Sequence, residues 1–188
     1  MENRDIQFAL EYATKAHKGQ TSKNGTPFIY HPMAVAGIVG GNFNNNKVLQ
    51  TAALLHDVIE DTEITSVDLI EEGFSEYVVT VVEYLTRQDG ETYKEFVGRC
   101  SNHTDATIVK ICDIIHNIRR ASDLPSEEEE RGLRKRWGSA LTFLWEKYQS
   151  RGEQIHNGSF EITVQKTIEE NWDKYNRLEV DNEPEEEK

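Results

Sequence analysis

The sequence predicts an all-α helical bundle, on three observations. Apolar residues recur at the 3.6-residue helical period from end to end. Apolar–polar alternation of the strand kind is nearly absent, and the breaks between periodic stretches carry Gly, Pro or Asn. At 188 residues the chain has the length of one domain and can bury a substantial core. It shows no internal repeat and no interdomain linker. Residues 1–180 are expected to form a single domain, and 181–188 an acidic, disordered tail.

The elements follow from local pattern. A first helix is expected from about Asp5 to His17, where Ile6, Leu10, Ala13 and His17 share one face. Residues 18–27 contain Gly19, Gly25 and Pro27 and read as a turn-rich loop of the kind that carries function. His31-Pro32 opens a second helix, with Pro32 suited to its first position. Asn44-Asn45-Asn46 breaks the chain, and the next helix runs to about Glu60. Thr65 or Ser66 begins another, and Gly73 separates it from a helix over 74–85. Asp89-Gly90 is a turn before a helix lined by Tyr93, Phe96, Val97 and Cys100. Helices over 106–119, 127–148 (with Trp137 and Trp145) and about 162–175 complete the bundle.

Charge and composition narrow the partners. The formal net charge is −13, and the body stays acidic without the tail. That argues against polymeric nucleic acid and anionic membrane as partners. A small phosphorylated substrate remains open, because a metal and a few basic side chains can invert the local field. No apolar run approaches a membrane span, and Met1-Glu2-Asn3-Arg4-Asp5 lacks the apolar segment of a signal peptide. Cys100 and Cys112 fall in amphipathic helical stretches, which suits reduced core thiols better than a disulfide. A cytoplasmic setting fits best, and oligomeric state has no signature in the sequence.

Chemistry concentrates in residues 52–62. Val48, Ala52, Leu55 and Ile59 form a narrow apolar stripe, while His56, Asp57, Glu60 and Asp61 project from the other side beside Leu49 and Ala53. An imidazole and a carboxylate make a mixed N/O site suited to a first-row dication. The two carboxylates one turn on are placed to orient or deprotonate a metal-bound water. A second helix repeats the arrangement: Ile108, Ile111, Cys112 and Ile115 form its stripe, and Asp113 and Asn117 share the opposite face at i, i+4. Its apolar character makes it central, so Asp113 and Asn117 face a cavity. Taken singly, each residue has a plainer reading. Asp113 suits an ion pair with Lys110 or Arg119, His31 a neighbour of a helix N-cap, and Glu60-Asp61 a charged helix end.

Together these residues form a family pattern. The order His31-Pro32, Leu55-His56-Asp57, Glu60-Asp61-Thr62 and Asp113 with Asn117 closely resembles the HD superfamily. Ala16-His17-Lys18-Gly19-Gln20, Gly25-Thr26-Pro27-Phe28-Ile29-Tyr30-His31-Pro32 and Val109-Lys110-Ile111-Cys112-Asp113 with His116-Asn117-Ile118-Arg119 resemble, more narrowly, the hydrolase domain of RelA/SpoT homologues. The resemblance covers roughly Ile6 to Arg120 and implies an HD-domain helical bundle. Nothing similar to the synthetase or regulatory domains of the long members is visible, which implies a hydrolase-only alarmone hydrolase.

By that resemblance, His31, His56, Asp57 and Asp113 bind one Mn²⁺, and Glu60 and Asp61 position and activate water. Lys23 steadies substrate phosphates, and Asn117 touches the ribose. The reaction implied is removal of the 3′-pyrophosphate of guanosine tetra- or pentaphosphate. One departure stands out. The family's loop carries Arg-Lys after the Gly-Gln motif, the Arg stacking on guanine, and here that position is Ser22, followed by Lys23. It keeps open another nucleotide substrate, such as a nucleoside monophosphate or a phosphorylated dinucleotide. A non-catalytic nucleotide sensor is a further alternative, opposed by the retained Glu60-Asp61 pair.

Overall fold

The structure is a computed structural model that describes residues 6–44, 46–152 and 158–180. Asp5, Asn45 and the expected acidic tail at 181–188 lie outside the described residues. The described helices are α1 (Ile6–Ala16), α2 (Tyr30–Asn42), α3 (Lys47–Leu55), α4 (Val58–Asp61), α5 (Ser66–Glu71), α6 (Glu76–Leu85), α7 (Tyr93–Cys100), α8 (Thr104–Arg119), α9 (Glu127–Ser150) and α10 (Gly158–Val180). A 3-10 turn at Ala121–Asp123 links α8 to α9. The fold is all-α, as the periodicity predicts. An isolated bridge between Thr21 and Pro27 closes the α1–α2 loop.

Small polar side chains set most helix starts by accepting backbone N–H groups that the first turn leaves unpaired. Thr65 with Asp68, and Thr92 with Glu95, form reciprocal capping boxes at α5 and α7. Asn46, Ser75 and Ser126 cap α3, α6 and α9. Ser75 explains why α6 starts at Glu76 rather than at 74: its own backbone is extended, with ψ 145°.

Three further boundaries differ from the sequence reading. Pro32 is the third residue of α2, not the first. First-turn N–H groups have no helical acceptor, so a proline there forfeits nothing. The helix expected to reach Glu60 stops at Leu55 and restarts at Val58. The cause is local: the His56 Nδ1–H donates to the Ala53 carbonyl at 2.8 Å, drawing that ring back onto the last turn. The final helix is longer than the sequence pattern indicates, from Gly158 to Val180.

α3 and α8 are the central pair, each buried around most of its circumference. Leu49, Ala52, Ala53 and Leu55 on α3, and Ile108, Ile111, Ile114 and Ile115 on α8, expose 1% or less. α1, α2 and α6 pack on α3, while α2, α6 and α9 pack on α8. His56, just past the end of α3, and Asp113, on the inward face of α8, therefore meet inside the bundle.

α10 closes over α9 through a buried polar latch. The Arg134 Nε–H donates to Glu130 Oε1 at 2.7 Å, an Nη1–H to Asn171 Oδ1 at 3.2 Å and an Nη2–H to Ser122 Oγ at 3.2 Å. Asn171 Nδ2 returns a hydrogen bond to the Arg134 carbonyl at 3.0 Å. One guanidinium thus joins α9, α10 and the 3-10 turn, and its several bonds offset the desolvation of the charge. Gly138 makes this approach possible, because a Cβ there would sit 2.5 Å from Asn171 Nδ2 and 3.2 Å from the Trp172 ring. Gly138→Ala is expected to cost about 1–3 kcal/mol through overpacking. Urea unfolding measures it, and an unchanged midpoint would mean that α9 and α10 do not approach this closely in solution.

Candidate metal centre

Three helices bring their ligand-type side chains to one point. His31 sits in the first turn of α2, His56 follows the last residue of α3, and Asp113 lies on the inward face of α8. One ligand atom from each of these three lies within 4.8 Å of the others. The two imidazole Nε2 atoms face each other at 3.2 Å. Asp113 Oδ1 is 3.1 Å from His31 Nε2 and 3.9 Å from His56 Nε2. Asp57 completes the ring, with one oxygen 3.4 Å from His31 Nε2 and the other 3.2 Å from His56 Nε2. Donors about 2.0–2.2 Å from a shared ion stand about 3–3.5 Å apart. All but the longest of these separations fit that spacing.

The surrounding groups turn the donors inward. A carbonyl can only accept, so the His56 bond to Ala53 fixes the proton on Nδ1 and leaves a lone pair on Nε2. His31 Nδ1 lies 2.8 Å from His116 Nδ1. With His31 donating to His116, the His31 Nε2 lone pair also faces the cluster. Asp113 is held at both oxygens: Lys110 Nζ donates to Oδ2 at 2.8 Å, and Asn117 Nδ2 to Oδ1 at 2.7 Å. Asp57 occupies the N-cap of α4 but makes no capping bond. It forgoes a contact worth about 1 kcal/mol and faces the imidazoles instead.

Protonation follows the same layout. Burial pushes His56 below the ordinary histidine range, although Asp113 opposes it. Burial, then His31 and Arg120, lower His116 to about 4, which keeps it neutral and able to accept from His31. Burial lifts Asp57 to about 7, against the pull of His31 and with the added repulsion of Asp113. Burial acts on Asp113 in the same direction, but Lys110 and His31 outweigh it and hold that carboxyl well below the usual range. Lys110 in turn is raised by Asp113 despite its own burial. The plain reading of Asp113 as the partner of Lys110 is met at Oδ2, while Oδ1 faces the two imidazoles.

A cavity of about 700 Å³ opens above the donors, the size of a small-molecule site. Of the residues singled out in the sequence, it is lined by Ser22, Lys23, His31, Asp57, Asp61, Asp113 and Asn117. His56 lies behind its wall, 1% exposed. Lys23 pairs with the Glu129 carboxylate at the start of α9, and Ser22 is set by backbone bonds to Thr26 and Gly25. The Glu60-Asp61 pair divides. Asp61 lines the cavity, and its carbonyl accepts from Gln20 Nε2 at 2.7 Å. Glu60 Oε2 instead accepts the Arg87 backbone N–H at 2.9 Å. Sequence reasoning gave no role to His116 or Gln20. The three-residue spacing of His116 from Asp113 on α8 was the available signal.

Known proteins resemble this chain in sequence and in fold. The HD-domain family profile matches residues 9–95. The chain is 32% identical over 139 residues to a probable GTP pyrophosphokinase of Mycobacterium leprae, covering 69% of this chain and 17% of the relative. It is 33% identical over 141 residues to the bifunctional (p)ppGpp synthase/hydrolase SpoT of Escherichia coli, covering 69% and 20%. A probable guanosine-3′,5′-bis(diphosphate) 3′-pyrophosphohydrolase of Synechocystis aligns over 92% of this chain and 25% of its own length, at 28% identity. The matches thus span a quarter or less of these relatives. Among solved structures, one described as a metazoan ortholog of SpoT that hydrolyzes ppGpp shares the fold. Its TM-score is 0.71 at 20% identity, covering 90% of this chain and 97% of that one.

Ligation by Asp57 would require the carboxylate, whereas the metal-free group holds its proton up to about 7. Divalent-metal binding near pH 6 is therefore expected to expel that proton, and affinity to rise with pH until Asp57 is ionised and then level off. Calorimetric titration in two buffers of different ionisation enthalpy measures the release. Heats that do not depend on the buffer at that pH would remove Asp57 from the ligand set.

Proposed function

From the match of residues 9–95 to the HD-domain family profile, we propose that the chain is a metal-dependent phosphohydrolase of guanosine tetra- or pentaphosphate, releasing GDP or GTP and pyrophosphate. The observation that carries this reading is the convergence of His31, His56 and Asp113, with Asp57 beside them, at the floor of a cavity that also exposes Asp61. The names borne by the similar proteins supply the substrate class. Two imidazoles and two carboxylates form a mixed N/O set suited to a first-row dication such as Mn²⁺ and unlike the all-oxygen cage of Ca²⁺. Bound there, such an ion polarises the phosphoryl oxygen and lowers the pKa of water.

The chain's own residues do the rest. Asp61 takes a proton from the attacking water. The water oxygen bonds to the phosphorus carried on O3′, the P–O3′ bond breaks, and O3′ takes up a proton and leaves as the ribose hydroxyl. Lys23 exchanges Glu129 for a substrate phosphate, Asn117 meets the ribose, and Ser22 lies beside the base. Glu60 supports Asp61 by fastening their short helix to Arg87. Two buried free thiols suit a reducing, cytoplasmic setting.

Ser22, where a base-stacking arginine is expected, favours one second reading: the same chemistry on a nucleoside monophosphate or a phosphorylated dinucleotide. Turnover with Mn²⁺, scored for the inorganic product, separates the two. Pyrophosphate from guanosine tetraphosphate upholds the proposal; orthophosphate alone, from other nucleotides alone, replaces it. Within the proposal, Asp61→Asn should keep its metal and lose about 10²–10⁴-fold in kcat. Glu60→Gln, which can still accept from Arg87, should lose less. Equal losses would put Glu60 on the water itself.

A further inference from the structure

We infer that Arg136 on α9 anchors the outer phosphate of a diphosphate group, making the cavity selective for diphosphate esters over monophosphate esters. The inference rests on the phosphohydrolase reading above and deepens it. Four cationic side chains line the cavity: Lys23, Lys110, Arg120 and Arg136. Three are already neutralised, by Glu129, Asp113 and Asp123 respectively. Among the described residues Arg136 has no carboxylate partner. Its guanidinium carbon lies 4.9 Å over the Tyr93 ring. A guanidinium resting on an aromatic face is held in place while its N–H edge stays open, which is the geometry for a planar, two-point grip on a phosphate.

Its place in the cavity says which phosphate. Lys110 Nζ, bonded to Asp113 at the metal donors, sits 4.6 Å over the Phe96 ring. Phe96 meets Tyr93 edge-on with centroids 6.4 Å apart, and Tyr93 carries Arg136. Asp113, Lys110, Phe96, Tyr93 and Arg136 are therefore linked by one chain of contacts, and Asp113, Lys110 and Arg136 of that chain line the cavity. A phosphoryl group at the donors leaves Arg136 facing the group attached beyond it. A diphosphate ester fills that position with a second phosphate, and a monophosphate ester leaves the guanidinium unmatched. Arg136 is exposed and without an ion pair among the described residues, so its replacement leaves the fold intact.

The test is binding of inorganic pyrophosphate and orthophosphate to the full chain loaded with one equivalent of Mn²⁺. The variants are Arg136→Gln and, as a control for general charge, Lys135→Gln, an exposed neighbour on α9 that does not line the cavity. Loss of a charge-assisted bidentate contact should weaken pyrophosphate by about tenfold or more in Arg136→Gln. Orthophosphate affinity, and both affinities in Lys135→Gln, should stay within about twofold. Equal weakening of both anions, equal weakening in the control, or no weakening at all overturns the proposal. No nucleotide enters this titration. A chain that passes it and yet leaves guanosine tetraphosphate intact would sink the substrate reading and not the role of Arg136.

Discussion

Four donors crowded into one buried pocket are the constraint on which the rest of the structure depends. The two imidazole Nε2 atoms face each other at 3.2 Å, the Asp57 and Asp113 carboxylates repel each other, and all four groups lose hydration. Left alone, such a cluster would swell or bind protons. Here each donor has an outside partner that turns it inward: the Ala53 carbonyl for His56, His116 for His31, and Lys110 with Asn117 for Asp113. Among the described residues Asp57 has no such partner outside the cluster, and its burial raises it to about 7, so it takes up a proton more readily than Asp113. The cluster is a candidate site for a divalent cation, and a bound cation would turn these repulsions into attraction.

That requirement accounts for features of the fold that helix propensity alone does not. The break between α3 and α4 places His56 and Asp57 on a turn, where both side chains reach the same point. α3 and α8 are buried nearly all round, so the cluster rests on the most rigid part of the bundle. α10 contributes from a distance. Through Arg134 it fixes the 3-10 turn that leads into Asp123 and Leu124, two residues of the cavity wall.

Much of this was legible in the sequence, and the gaps have physical causes. Helical periodicity gave the helix order, and the Asn, Gly and Asp-Gly breaks fell between elements. The apolar stripe of α8 put Asp113 and Asn117 on the cavity side, where they lie. The break at His56 was hidden because the apolar spacing runs on through it. Only a side chain bonding back to its own helix creates the stop. Glu60 was paired with Asp61 by adjacency, but its partner is a backbone N–H 27 positions away. His116 sits among isoleucines and reads as core until His31, 85 positions away, is brought against it. Arg136 and Tyr93 share no local pattern at all. Partnerships across the bundle are tertiary facts, and periodicity is blind to them.

The central claim is that two histidines and two aspartates share one cation. Pulsed electron paramagnetic resonance of the Mn²⁺-loaded protein, prepared with ¹⁵N-labelled histidine, reads the ligand nitrogens directly. The account predicts coupling to two imidazole nitrogens, falling to one in His31→Ala and in His56→Ala alike. A spectrum with no histidine coupling, or one unaltered by either substitution, would contradict it.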